Sequence, residues 1–90
     1  MRAAKVDQNQ SAIVAALRKA GATVQHLHKV GEGCPDICAG YQCVNYLLEI
    51  KQPNGKVNKL QKEWHDNWRG SVFVVHSVEE ALDAIGVNDD

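Results

Sequence analysis

The most constraining stretch of the chain is residues 33–51, GCPDICAGYQCVNYLLEIK. Two apolar runs, 36–41 and 44–50, flank a short polar break at Gln42-Cys43. Short runs rich in Ile, Tyr, Val and Leu on either side of such a break are the signature of a β-hairpin. The same stretch carries Asp36, Glu49 and Lys51 at the margins of otherwise buried strand, where an uncompensated charge costs stability. Side chains alternate along a strand, so Glu49 and Lys51 share a face with Leu47, while Asp36 shares one with Cys38 and Gly40. Whether the two carboxylates meet depends on register. If the numbers of paired residues add to 85, Asp36 lies directly across from Glu49 on the same face. The turn is then a two-residue one at Gln42-Cys43, or a longer loop with the same symmetry. A slip of one residue sends Asp36 to the wrong side.

Two carboxylates so placed repel, and one takes up a proton unless a cation removes the conflict. Magnesium suits such a pair, because it takes a few carboxylate oxygens and completes its shell with water and substrate phosphate. A metal so held turns bound water into a nucleophile. Lys51 is placed to hold that water or to offset charge on a scissile phosphate. The carbonyl of Ile50, between the two side chains, is a natural extra ligand.

The rest of the chain supplies a frame for this hairpin. Residues 7–21 read as a helix, with Ile13, Val14, Leu17 and Ala20 at helical spacing and Gly21 at the stop. Asp7 is a candidate cap, with Gln10 reaching back as in a capping box, and Ser11 is a rival. Residues 23–29 read as an imperfect strand, and 30–35 as a loop with two glycines and a proline. Pro-Asn-Gly within 52–57 signals a turn. Asn58 opens a second helix, with Gln61 placed for another capping box and Leu60, Trp64 and Trp68 on one apolar face. Residues 71–75 form a short strand, and Ser77 caps a last helix whose first turn holds Glu79 and Glu80. The expected order is α-β-β-β-α-β-α, without repeats or internal linker.

Ninety residues suit one domain, 1–90, with a thin core. The net charge of −1 announces no nucleic-acid binder, but its distribution is uneven. Basic residues dominate 1–29 and 51–69, and no Lys or Arg follows Arg69, where acidic residues take over. That pattern is compatible with a phosphate-bearing partner on one face. No segment reaches the roughly 18 apolar residues of a membrane span. The N-terminus is polar and lacks a signal peptide, so a cytoplasmic setting is the expectation. The odd number of cysteines fits reduced thiols.

Pro-Asp followed after a short spacer by Glu-x-Lys is similar to the signature of the PD-(D/E)XK nuclease superfamily. Over nearly the whole chain, GCPDICAGYQCVNYLLEIK followed by KVNKLQKEWHDNWRGSVFVVHSVEEAL resembles the VRR-NUC (virus-type replication-repair nuclease) family. DQNQSAIVAALRKAGATV is similar to that family's first helix and strand. The resemblance implies a restriction-endonuclease-like α/β core with a mixed sheet flanked by helices. It implies a Mg2+- or Mn2+-dependent endodeoxyribonuclease, a hydrolase acting on ester bonds, in which Asp36 and Glu49 bind metal and Lys51 assists catalysis. Stand-alone phage and bacterial members of this size resemble homodimeric resolvases that cut four-way (Holliday) junctions. The sequence departs from the family at Gln10, where a Glu is usual, at Cys43, often Gly, and at His76, often Arg.

Other residues are weighed against ordinary roles. Gln10 is either a capping residue or a neighbour of the metal. Gln61 is read as a helix cap rather than a catalytic group, in a position that can still lie near Lys51. Trp64 and Trp68 are read as core or dimer contacts. His65, Lys29, Lys56, Lys59, Lys62 and Arg69 are candidates for contact with DNA. Cys34, Cys38 and Cys43 lack the paired C-x2-C spacing of zinc knuckles, so no structural zinc is expected and small thiols are the default. The competing functional reading is a binding module on the same fold, gripping branched DNA or a replication protein without cutting it.

Overall fold

A computed structural model describes residues 8–87 of the chain. Its elements are α1 (Gln8–Lys19), β1 (Thr23–His26), β2 (Ile37–Tyr41), β3 (Val44–Ile50), α2 (Lys59–Asn67), β4 (Val72–Val75) and α3 (Val78–Ala84). This is the α-β-β-β-α-β-α order read from the sequence. Asp7, read there as a cap for α1, lies outside the described residues, as do the basic Arg2 and Lys5 and the acidic Asp89 and Asp90.

The strands form one mixed sheet in the order β1-β2-β3-β4. β1, β2 and β3 are an antiparallel meander, and β4 joins β3 in parallel. A parallel neighbour needs a crossover, and α2 supplies it. β1 ends at His26, short of the 23–29 run, yet the Leu27 N–H still donates to the Asp36 carbonyl at 2.8 Å and carries the pairing on. Between β2 and β3, Gln42 (φ 50°) and Cys43 (φ 68°) form the whole turn. Positive φ at both central residues matches the strand twist of a two-residue hairpin. At Cys43 a glycine would adopt this conformation without the cost of a Cβ.

The core lies on one face of the sheet. Ile13, Val14 and Leu17 of α1 pack with Ile37, Ala39, Leu48, Ile50 and Val75 of the sheet and with Ala81 of α3 and the neighbouring Ile85. Each fully buried large aliphatic side chain here contributes roughly 1.5–3 kcal/mol. Ser77 caps α3 through its hydroxyl, which accepts from the Glu80 N–H at 3.0 Å.

The opposite face carries Asp36, Cys38, Leu47 and Glu49, and α2 covers only the end that holds Glu49. Here one expectation is corrected. The Leu60, Trp64 and Trp68 stripe does not enter the core: no residue of α2 is buried, and Leu60 and Trp68 are 53% and 46% exposed. The two indole rings stack on each other instead, with centroids 4.6 Å apart. α2 turns its polar edge, Gln61 and His65, toward the sheet. No helix among the described residues is long and apolar enough to cross a membrane.

Candidate active site

The hairpin register decides what the chain can bring together. Every β2–β3 pair, from Ile37↔Leu48 to Tyr41↔Val44, has partner numbers adding to 85. Continued one residue beyond Ile37↔Leu48, this register sets Asp36 opposite Glu49. Asp36 is fixed there by its backbone and its side chain together. Its N–H donates to the Leu48 carbonyl at 3.1 Å, its carbonyl accepts from Leu27, and its Oδ2 accepts from the Ile50 N–H at 2.7 Å. The preceding Pro35 is fully buried and anchors the approach to the strand. Asp36 thus bridges β1 and β3 at the point where the meander ends.

Glu49 is 1% exposed, which is unusual for a carboxylate without a cationic partner. Its Oε2 accepts from Gln61 Nε2 at 3.1 Å. Its Oε1 has no hydrogen-bond partner and faces His65 Nε2, itself unpartnered, at 3.5 Å. Burial, then a side-chain hydrogen bond to Asp36 and the charge of Asp36, push the Glu49 carboxyl up to about 8, while Lys51 pulls it down. Burial holds the His65 imidazole below its ordinary range; Asp66 opposes this and Lys51 adds to it. Both shifts favour the neutral forms, against an ion pair between Glu49 and His65. Burial also raises the Cys34 thiol, followed by the charges of Glu49 and Asp36, which places Cys34 beside the carboxylates.

Lys51 follows the last residue of β3. Its N–H donates to the Val75 carbonyl at 3.0 Å, and its carbonyl accepts from Asn9 Nδ2 at 2.5 Å. Asn9 also donates to the His76 carbonyl at 3.1 Å, so the first turn of α1 pins the ends of β3 and β4 together. The His76 ring bridges Glu80 and the Gly55 carbonyl, each at 3.1 Å, and ties the turn after Lys51 to the start of α3. Asn9 was not read as a site residue; one Asn beside Gln10 in a polar helix start carries no signal in sequence.

Gln10 is buried on α1, and its amide nitrogen lies 3.4 Å from His26 Nδ1. Gln61 does form the expected capping box with Asn58. It also reaches the site, through Glu49 rather than Lys51. The signal was available in the residue type: a capping box occupies the amide oxygen of Gln and leaves its two N–H donors free. Among the DNA-contact candidates, Lys29, Lys56, Lys59 and Arg69 are exposed, Lys62 pairs with Asp66 at 3.1 Å, and His65 points inward. Ile50 sends its side chain to the core and its N–H to Asp36. Cys34, Cys38 and Cys43 are free thiols.

Two facing carboxyl groups, one of them buried with an oxygen left unpartnered, are a fit for a small hard cation. Among the described residues, no group of three or more His, Cys, Asp or Glu side chains is arranged to hold a metal ion. A cation here would draw two side-chain ligands from the protein, as magnesium sites commonly do.

These features define an α/β domain with a mixed sheet and an acidic pair at the end of its central hairpin. More narrowly, its fold is that of a VRR_NUC domain. A solved structure described as "VRR_NUC domain" superposes with a TM-score of 0.70 at 24% identity, covering 84% of this chain and 88% of that chain. No protein-family model matches the sequence, and no curated protein matches it.

Proposed function

We propose that the domain is a divalent-metal-dependent endonuclease that hydrolyses DNA phosphodiesters. The observation that carries this reading is the hairpin register, which sets Asp36 across from Glu49 and leaves Lys51 at the end of the same strand. The shared fold with a VRR_NUC domain structure supports the nuclease class.

Asp36 and Glu49 would hold Mg2+ or Mn2+ through their carboxylates, helped by the Ile50 carbonyl, with the Gln10 amide as a further neighbour. When bound, such an ion supplies Lewis acidity toward a phosphate oxygen and lowers the pKa of its water. Metal binding requires Glu49 to give up the proton that burial and Asp36 favour. The Lys51 ammonium offsets charge that develops on the phosphate, and its backbone bonds to Val75 and Asn9 keep it from drifting. Exposed Lys29, Lys56, Lys59 and Arg69 are the groups available to hold the DNA backbone. The substrate we infer is branched DNA, cut by a homodimer whose two-fold symmetry matches a four-way junction.

The test is cleavage of four-way, flap and linear DNA, each with Mg2+, Mn2+ or chelator. The expected result is metal-dependent cutting that prefers branched substrates. Asp36→Ala, Glu49→Ala and Lys51→Ala should each reduce it by at least about 100-fold while circular dichroism shows a retained fold. Full activity in Glu49→Ala would remove the metal-site reading. Junction binding in chelator, with no cleavage on adding either metal, would make this a binding module instead.

A further inference from the structure

From the geometry around Glu49 we infer that Gln61 is a positioning residue for the acidic pair, rather than only a cap for α2. The inference rests on the metal site proposed above.

The capping box fixes which way the Gln61 amide points. The backbone N–H of Asn58 can only donate, and it lies 2.9 Å from Gln61 Oε1. The Asn58 side chain in turn accepts from the Gln61 N–H at 2.9 Å. With its oxygen held by a backbone donor, Gln61 presents its NH2 group to Glu49 Oε2 at 3.1 Å. One amide therefore spans the start of α2 and the acidic pair. It holds one carboxylate oxygen of Glu49, Oε2, while Oε1 faces His65 Nε2 at 3.5 Å, so the carboxyl is fixed from both oxygens.

An amide is the right chemistry for this task. It orients a carboxylate through a donor yet brings no positive charge to compete with a metal. Lys or Arg at the same place would form an ion pair with Glu49 and weaken its pull on a cation. α2 buries none of its own residues: it reaches Glu49 on the sheet through Gln61 and His65, and the loop before β2 through the close approach of Gly33 to Leu60.

The test separates positioning from capping. Mn2+ binding is followed without DNA, by the paramagnetic resonance signal of the free ion, in wild type, Gln61→Ala and Asn58→Ala. Asn58→Ala removes the side-chain cap but keeps the backbone N–H that orients Gln61, so it calibrates a purely structural loss. Gln61→Ala should weaken Mn2+ binding by about tenfold, as loss of outer-shell partners does. Asn58→Ala should change it by no more than about twofold, with urea midpoints lowered alike in both. Should Gln61→Ala fail to fold, Gln61→Met, which keeps the bulk without a donor, takes its place in the comparison. Equal affinities in the Gln61 and Asn58 variants would overturn the inference and leave the metal site standing. A wild-type protein that binds no Mn2+ would overturn both.

Discussion

At the scale of single residues, Glu49 carries the largest burden. Its carboxyl is pushed to about 8 from an ordinary value of 4.5 by burial and by Asp36. The sign of the resulting pH dependence follows. Between those two values the folded protein keeps a proton that the unfolded chain has released, so stability falls as pH rises. The favourable contribution is complete below about 4.5 and is lost as pH passes through about 8. In chelator, thermal unfolding should therefore give a lower midpoint at pH 9 than at pH 6, with the effect of other groups read from Glu49→Gln. That variant, which removes one of two repelling charges, should flatten this part of the profile. At pH 8 it should be more stable than wild type by on the order of 1 kcal/mol, and inactive, the usual trade at a site built for function. A parallel decline in both proteins would show that Glu49 is not the titrating group. Glu80 shifts the other way: hydrogen bonds from His76 hold its carboxyl below the ordinary range.

At the scale of elements, the loop before β2 and the start of α2 are locked by a glycine. A Cβ built on Gly33 would lie 2.5 Å from the Leu60 carbonyl oxygen, and its φ of +85° already disfavours a side chain. Gly33→Ala should destabilise the fold by about 2 kcal/mol in urea unfolding and should also lower cleavage, because α2 carries Gln61. Gly31→Ala, with no atom within 4 Å of the added Cβ, should cost less. Much of this architecture was legible in the residues. Alternation, the Gln42-Cys43 break and the Asn58–Gln61 spacing are local signals, so the hairpin and the caps at Asn58 and Ser77 followed from them, while the register stayed open between odd and even sums until the structure fixed it at 85. The Asp36–Glu49 juxtaposition was legible only as one of the possible registers. What could not be read was how α2 docks. The Leu60, Trp64 and Trp68 stripe identifies a helical face but not its partner, and the sheet takes the polar edge of α2 instead. Asn9 and the second bond of Gln61 depend on contacts distant in sequence, where spacing gives no clue.

For the whole molecule, the consequence is an uneven distribution of apolar surface. α1 and α3 seal one side of the sheet, whereas Leu60, Trp68 and Val74 stay exposed on the other side or on the helix over it. The total accessible surface is 6250 Å². A standard protein interface takes about 800 Å² from each partner. The homodimer proposed above should use the tryptophan face: sedimentation velocity should show a dimer for wild type and a monomer for Trp68→Glu. Equal sedimentation of the two would place any association elsewhere. One further consequence lies in the backbone bond from Lys51 to Val75. The meander that pairs Asp36 with Glu49 needs only contacts close in sequence, which are expected to form early. β4 must first return through α2, a longer closure that comes later. A growing chain would therefore bring its two acids together while the lysine still lacked its anchor. The strand that completes the sheet is therefore also the one that fixes the backbone of Lys51.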